Sequence, residues 1–385
     1  MVRWSWTKRL LLAAAVLLPA GCIELTGQRI SWFYDQQADQ MQILVHYDGI
    51  HDTGQGNRGD EQIPRFVEGG DMMFVDWFLH FDMASLRRQI DDPNVSPLAK
   101  DWARLITSVR TEPAGYYVEP DGRVGAAQLI TIPKATEFVK KLNGLVSRQI
   151  LTIERTGDAP TDDTLARIQA AAKTDHQWLA LSGQSIRVVV PVEPNEWMRL
   201  RGVAIRMSSE WITRMNDPAD PEIARRGKAL LMILSSIPWS YVDQGDRVTF
   251  VLGRASRTSW NLRLPIRDEY RPGMEKVVAD SVKTDLDQAL ARLLLDKEAP
   301  RSGPVAAVLE FGPPEDAVRA LLTAAGSADA AKQRAAVERL KQWAAEWNQA
   351  RRLPEAPAAT DSPQDYLAAW KQWYAQMKQF PVYGE

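Results

Sequence analysis

Four side chains that could bind a divalent metal lie close together near the start of the chain. They are His46, Asp48, His51 and Asp52, in the stretch HYDGIHDTGQGNRGDE at residues 46–61. Imidazole nitrogens and carboxylate oxygens are ligands that zinc and manganese take in proteins, so a metal-dependent hydrolase is one hypothesis. In a strand, His46 and Asp48 would share one face. The spacing of His46 and His51 differs from the helical motif in which two zinc-binding histidines are four residues apart.

A second interpretation of these four residues requires no ligand. Polar side chains are common where a strand enters a solvated loop, and they need no metal there. We favour this interpretation, and we therefore expect no cofactor.

The same stretch contains a Gly-x-Gly-x-x-Gly pattern at Gly54, Gly56 and Gly59. In a dinucleotide-binding loop a helix begins directly after the third glycine, whereas Pro64 follows here within a few residues. We interpret the Arg-Gly-Asp tripeptide at residues 58–60 as coincidence. The glycines are therefore predicted to provide turns in a loop.

Other catalytic signatures are missing from the sequence. It has no Gly-x-Ser-x-Gly motif, no Ser-x-x-Lys with its accompanying motifs, no His-Glu-x-x-His and no Walker loop. It has only four histidines to act as general acids or bases. These absences favour a non-catalytic role over the metal-dependent hydrolase.

The first 21 residues predict a secretory signal. Arg3, Lys8 and Arg9 precede the apolar run LLLAAAVLL, and the small-residue sequence PAGC ends at Cys22. The apolar run is too short to span a bilayer as a stable helix. Cys22 is the only cysteine of the chain, so no disulfide can form within it.

This segment resembles the signal of bacterial lipoproteins, although Pro19 stands where that family usually has leucine. The resemblance covers residues 1–22 and implies cleavage before Cys22, lipidation of its thiol and acylation of the new amino group, for example by palmitate. Several acyl chains on one cysteine are sufficient for stable anchoring to a membrane. In enteric-type bacteria an aspartate after the cysteine resembles an inner-membrane retention signal. Ile23 stands there instead, so we expect the outer membrane where the host has one.

The charge balance argues against two classes of partner. The chain has 47 Lys and Arg side chains against 49 Asp and Glu. Three of the basic residues lie in the predicted signal, so residues 22–385 would be acidic overall. With no basic stripe to follow a phosphate backbone, we expect no nucleic acid partner. The acidic balance also disfavours adhesion to anionic lipid, which leaves the anchor to hold the protein at the membrane.

Four pairs of short strands joined by tight turns are predicted from alternating hydrophobicity. They lie at residues 29–49, 116–132, 178–192 and 239–253. Amphipathic helices are predicted where apolar residues recur at steps of three and four, and we interpret both apolar faces as core. The first face consists of Trp197, Leu200, Ala204, Met207, Trp211 and Met215, and the second of Val278, Val282, Leu286, Leu290 and Leu293.

The segment DMMFVDWFLHFDM, residues 71–83, fits two kinds of structure. Its odd positions are apolar from Met73 to Met83, which favours one strand with a fully buried face. The alternative is a buried helix that carries Asp76 and His80 on one side. In the strand interpretation Asp82 caps the helix that follows.

The composition changes to alanine, proline and charged residues after about residue 296. The segment LPEAPAATDSP at 353–363 predicts a linker before a terminal helix that is rich in aromatic residues. Five side chains form one face of that helix: Tyr366, Trp370, Trp373, Tyr374 and Met377. They could stack on the sugar rings of a cell-wall polymer, but we favour their packing on the protein body.

These patterns predict an α+β fold with one or more antiparallel, hairpin-rich sheets, packed amphipathic helices, repeated hairpin-helix units and a helical C-terminal tail. We divide the chain into a signal peptide (1–21), an α+β body (22–296) and a helical C-terminal region (297–385). The body could contain two similar subdomains that meet near residue 176. We predict a non-catalytic binding, scaffolding or assembly role at the cell envelope, with an envelope protein or a cell-wall polymer as the candidate partner.

Overall fold

A computed structural model of the chain describes most of the residues after Cys22. The described residues are 23–52, 68, 70–74, 79–154, 159–182, 185–202, 205, 241–243, 245–252, 260–265, 285–350, 352, 354–360, 362–378 and 382–383.

Strands and helices are numbered in chain order. The described strands are β1 (Ile23–Glu24), β2 (Gly27–Asp35), β3 (Gln40–Asp48), β4 (His51–Asp52), β5 (Met72–Phe74), β6 (Leu79–Phe81), β7 (Arg110–Val118), β8 (Val124–Pro133), β9 (Leu179–Ser182), β10 (Ser185–Val190), β11 (Tyr241–Asp243), β12 (Val248–Leu252), β13 (Trp260–Pro265) and β14 (Val382–Tyr383). The described helices are α1 (Met83–Asp91), α2 (Pro97–Ile106), α3 (Ala135–Leu151), α4 (Ala159–Ala172), α5 (Leu286–Leu295), α6 (Gly303–Phe311), α7 (Pro314–Ala325), α8 (Ala330–Gln349) and α9 (Pro363–Met377).

The largest sheet has six strands in the order β14-β13-β2-β3-β8-β7, and every neighbouring pair is antiparallel. The hairpins β2–β3 and β7–β8 form its centre and one edge, as the alternating pattern predicts. A second sheet has the order β11-β12-β10-β9 and contains the other two predicted hairpins. The prediction of an α+β fold built on antiparallel hairpins is therefore confirmed.

Both faces of the six-stranded sheet are covered. On one face, Leu44 and Leu129 pack in a core that also contains residues of α5 to α9. Phe33 of β2 stacks on Phe311 of α6, with ring centroids 5.3 Å apart. On the other face, Met41 and Ile132 pack with the start of α3 and with β10. The sheet is thus the middle layer between two sets of elements.

The segment at residues 71–83 forms a hairpin and not the single strand that its alternation predicts. Strand β5 pairs antiparallel with β6. Met72 and Met73 are both buried while Leu79 is 38% exposed, so burial does not follow the odd positions. The predicted cap is confirmed, because the Asp82 carboxylate accepts a hydrogen bond from the backbone N–H of Ser85 at the start of α1.

The terminal helix α9 packs on the body through the face that its sequence predicts. Its five aromatic and Met side chains are all at most 3% exposed. Trp370 and Trp373 make edge-to-face contacts with Trp343 of α8, at centroid distances of 5.7 and 5.3 Å. The packing hypothesis is confirmed, and the alternative of an exposed arm that stacks on sugars is wrong. In the segment predicted as a linker, residues 354–360 are non-helical.

The two predicted helix faces are described only in part. Leu286, Leu290 and Leu293 are buried on α5, which confirms their role as core. Trp197 packs edge-to-face on Phe250 of β12, with centroids 5.1 Å apart. Leu200 packs against the buried cluster of Val192, Val248 and Phe250. The side chains of the remaining members lie outside the described residues: Ala204, Met207, Trp211, Met215, Val278 and Val282. Among the described residues, no helix combines the length and hydrophobicity needed to cross a bilayer.

Candidate functional site

Three of the four predicted metal ligands are buried side chains of the sheet region. His46 and Asp48 lie at the end of β3, and His51 lies in β4; they are 0%, 3% and 1% exposed. The favoured interpretation, in which they enter a solvated loop, is therefore wrong for these three. The side chain of Asp52 lies outside the described residues, and so do the glycine pattern, the Arg-Gly-Asp tripeptide and Cys22.

Asp48 is held by Arg29 on the neighbouring strand. Arg29 of β2 lies opposite His46 of β3 in the sheet. Asp48 is two residues beyond His46, so its side chain projects from the same face of the sheet as those of His46 and Arg29. The guanidinium donates from Nε to Asp48 Oδ2 at 2.9 Å and from Nη2 to Oδ1 at 3.0 Å, which is a bidentate geometry. Burial would raise the pKa of Asp48, but Arg29 and Lys378 hold it well below its ordinary value. Asp48 is thus a charged carboxylate in the interior.

Tyr117 of β7 completes the surroundings of Asp48. Its hydroxyl donates to Asp48 Oδ1 and accepts from Arg29 Nη2. The ring lies over Gly125 of β8, where an added Cβ would come within 2.2 Å of a ring carbon. A glycine at this position therefore makes room for the ring that brings the hydroxyl to Asp48. Burial raises the pKa of Tyr117 well above 10, so the phenol stays protonated and donates.

The same arginine also reaches the C-terminal helices. Arg29 Nη1 donates to Glu315 Oε1 at 3.2 Å and to Asp316 Oδ1 at 3.1 Å, both in the first turn of α7. His46 Nε2 lies 2.8 Å from Asp316 Oδ2. Glu315 follows Arg29 by 286 residues in the chain, so these contacts join distant parts of the sequence. One guanidinium thereby links the central sheet to the helical region.

A second arginine repeats this arrangement on the helical side. Arg319, one turn after Asp316 in α7, donates from Nη1 to Asp316 and from Nε to Asp287 of α5 at 2.8 Å. Its guanidinium lies over the ring of Tyr117, 3.8 Å from the centroid, which is a cation–π contact. Next to these groups, the partly exposed Lys378 donates from Nζ to Glu119 Oε1 at 2.6 Å.

We call this set of residues the buried ionic network. Its members are Arg29, His46, Asp48, Tyr117, Glu119, Asp287, Glu315, Asp316, Arg319 and Lys378.

The network contains more carboxyl groups than cations. Burial raises the pKa of Glu119 and of Asp287, although Lys378 and Arg319 oppose this effect. Burial also lowers the pKa of His46 below its ordinary value against the raising effect of Asp316, so the imidazole is neutral at pH 7. By contrast, the pKa values of Asp48 and Asp316, which contact Arg29, lie well below the ordinary value, so these two carboxylates are charged.

Of the predicted metal ligands whose side chains the structure describes, His46 and Asp48 lie in one network, but the three do not form a metal site. The donor atoms of Asp48 contact Arg29 and Tyr117, while His46 faces Asp316. His51 lies apart from them, with Nδ1 2.9 Å from the carbonyl oxygen of Gly49 and Nε2 3.6 Å from Glu24. Among the described residues, no group of three or more His, Cys, Asp or Glu side chains could hold a metal ion.

The central members of the network are closed off from solvent in the part of the chain that the structure describes. The side chains of Arg29, Asp48, Asp316 and Arg319 are at most 4% exposed. Removing one partner of such a group leaves an uncompensated charge in the interior, which is strongly destabilising. The network therefore favours one docked arrangement of sheet and helices.

The fold and the network define an α+β protein whose antiparallel sheet is joined to a helical region by buried ion pairs. Comparison with known proteins extends this description no further. No protein-family model, no curated protein and no solved structure matches the chain.

Proposed function

We propose that this protein is a lipid-anchored component of the bacterial cell envelope with a non-catalytic binding, scaffolding or assembly role. The observation that carries the non-catalytic part is the burial of His46 and Asp48 in the ionic network. The lipoprotein-like signal supports the anchor, with Cys22 as the lipidated residue and the outer membrane as the expected location. An envelope protein or a cell-wall polymer is the proposed partner.

The metal-dependent hydrolase is the less favoured proposal because a metal would have to replace existing ion pairs. An ion bound by Asp48 would compete with a bidentate guanidinium at 2.9 and 3.0 Å. Metal analysis of soluble protein without Cys22 tests this directly. A stoichiometric ion that is lost in the His46→Ala variant would favour the hydrolase over the scaffold.

Fatty-acid labelling of growing cells tests the anchor. We expect the natural chain to incorporate labelled palmitate and to partition into detergent and outer-membrane fractions. Cys22→Ser should abolish labelling and cleavage by the lipoprotein peptidase, because serine supplies no thiol for the lipid. Gly21→Ala is the matched control, since it keeps a small residue in the box and should retain the label. Label on the Cys22→Ser variant would refute the anchor, and recovery chiefly in inner-membrane fractions would refute the outer-membrane location.

A further inference from the structure

We propose that one end of the six-stranded sheet faces the bilayer, held against it because no spacer separates the lipidated cysteine from the folded body. This inference rests on the proposed lipidation of Cys22. We call the end where β2 begins, β3 ends and β8 begins the anchor-proximal end. The opposite end carries the turn between β2 and β3.

The folded structure starts directly after the anchor residue. Strand β1 begins at Ile23, which pairs with Asp52, and Glu24 pairs with His51. Glu24 and Leu25 are only 8% and 1% exposed. Since consecutive Cα atoms are about 3.8 Å apart, the lipid-bearing residue would lie within a single residue step of β1.

Hydrogen bonds place this start of the chain at the anchor-proximal end. The N–H of Thr26 donates to the carbonyl oxygen of Asp48, the last residue of β3, at 3.0 Å. The N–H of Ile50 donates to the carbonyl oxygen of Val124, the first residue of β8, at 2.8 Å. Residues 119–123, which join β7 to β8, therefore project at the same end as the anchor.

The chemistry of this end is compatible with a lipid headgroup layer. Arg123 pairs with Asp121 at 3.0 Å, so the charges of these two exposed side chains are balanced. Beside the turn, the apolar side chain of Val118 is 54% exposed. A charge-balanced surface is not repelled by the bilayer to which the anchor would bind it.

Two exposed turns at opposite ends of the sheet allow a direct test. Asp121 lies in the turn at the anchor-proximal end, and Gln37 lies in the turn between β2 and β3. Strand β3 runs between these ends and is nine residues long, which separates them by about 26 Å. Cys22 is the only natural cysteine and its sulfur would carry the lipid, so Asp121→Cys or Gln37→Cys would introduce a single free thiol for a fluorescent label.

The measurement is energy transfer from each label to acceptor dyes on lipid headgroups, with the full lipidated protein in phosphatidylcholine vesicles. We expect transfer from position 121 to exceed transfer from position 37 at least about twofold, given the separation along β3. The matched control inserts about twelve Gly and Ser residues between Cys22 and Ile23, a spacer with a root-mean-square length of roughly 20 Å. The difference between the two positions should then shrink toward zero.

Flotation with the vesicles separates failure of the anchor from failure of the orientation. If the labelled protein floats but both positions transfer equally, the orientation is refuted while the anchor stands. The ratio of transfer at position 121 to transfer at position 37 should also change when the spacer is added. An equal ratio with and without the spacer would refute the orientation, because the tether would then not determine it. If the protein does not float, the anchor is refuted and the orientation with it.

Discussion

Replacing Arg29 by methionine tests whether the buried ionic network determines the stability of the fold. Methionine keeps a long apolar stem but removes the charge and all the donors. The substitution leaves three carboxyl groups without this partner: Asp48, Glu315 and Asp316. Each of these side chains is at most 4% exposed, so water cannot replace the guanidinium without opening the interface.

The expected loss follows from the burial of these groups. Removing one partner of a buried ion pair costs about 3–5 kcal/mol, and Arg29 serves more than one carboxylate. We therefore expect the free energy of unfolding at pH 7 to fall by about 4 kcal/mol or more, out of a typical total of about 5–15 kcal/mol. The loss should shrink as the pH is lowered, because protonation neutralises carboxyl groups that have lost the Arg29 cation.

Urea unfolding of soluble protein, lacking the signal and carrying Cys22→Ser, measures this change through the midpoint at constant slope. Arg104→Met is the matched control, since the Arg104 side chain is 55% exposed and pairs with Asp101 at the surface. Surface pairs contribute at most about 1 kcal/mol, so the control should unfold almost like the parent.

A double variant keeps the test decisive if the single variant fails to fold. Arg29→Met with Asp48→Asn removes a negative charge together with the positive one and should recover part of the lost stability. An Arg29→Met variant that unfolds like the Arg104→Met control would refute a stabilising network. No recovery in a double variant that folds would show that packing, and not charge, caused the loss.

Two further predictions concern the terminal helix and the buried histidine. Trp370→Ala with Trp373→Ala should lower the free energy of unfolding by at least about 5 kcal/mol and expose α9 to protease, because both rings are buried and each loss creates a cavity. Lys371→Ala, on the exposed side of α9, should change neither property, and a double variant as stable as this control would contradict the packing. Burial lowers the pKa of His46 in the folded protein. The contribution of neutral His46 to stability is therefore complete above the unfolded-state pKa of about 6.5. Below that pH, the free energy of unfolding should fall by up to about 1.4 kcal/mol per pH unit. Unfolding measured between pH 7 and 5 should therefore show a weaker pH dependence for His46→Gln than for the parent, and an unchanged profile would speak against this account.

Local patterns in the sequence predict the elements of the fold well. Alternation around Ile43 and Val45 and the turn at Asp121–Gly122 predict hairpins that are present. The spacing of apolar residues on α9 predicts its buried face correctly. The hairpin of β5 and β6 was missed because residues 72–81 contain no Gly, Pro or Asn as a turn signal, and their alternation permits one long strand.

The ionic network could not be predicted in the same way. The sequence drew attention to His46 and Asp48 as polar residues at a strand end, but Asp316 on α7, which contacts both His46 and Arg29, follows Arg29 by 287 residues. No local spacing links Arg29 to Glu315. The available signal was Arg29 itself, a charged residue in an otherwise alternating strand. A charge on the buried face of a strand requires a partner, although it does not say where that partner lies in the sequence.

The carbonyl oxygen of Pro354 accepts hydrogen bonds from two indole N–H groups, that of Trp347 in α8 at 2.9 Å and that of Trp373 in α9 at 3.1 Å. Two residues later, the backbone of Ala356 is bound on both sides by the amide of Asn348. Hydrogen bonds thus hold Pro354 and Ala356 in the connection between the last two helices, whereas residues 358–360 are exposed. A peptide bond cut there would divide the chain without separating its parts, since the smaller fragment would keep its aromatic face in the core. Such a nicked protein would migrate as two pieces only after denaturation, and the two pieces could be expressed apart and recombined.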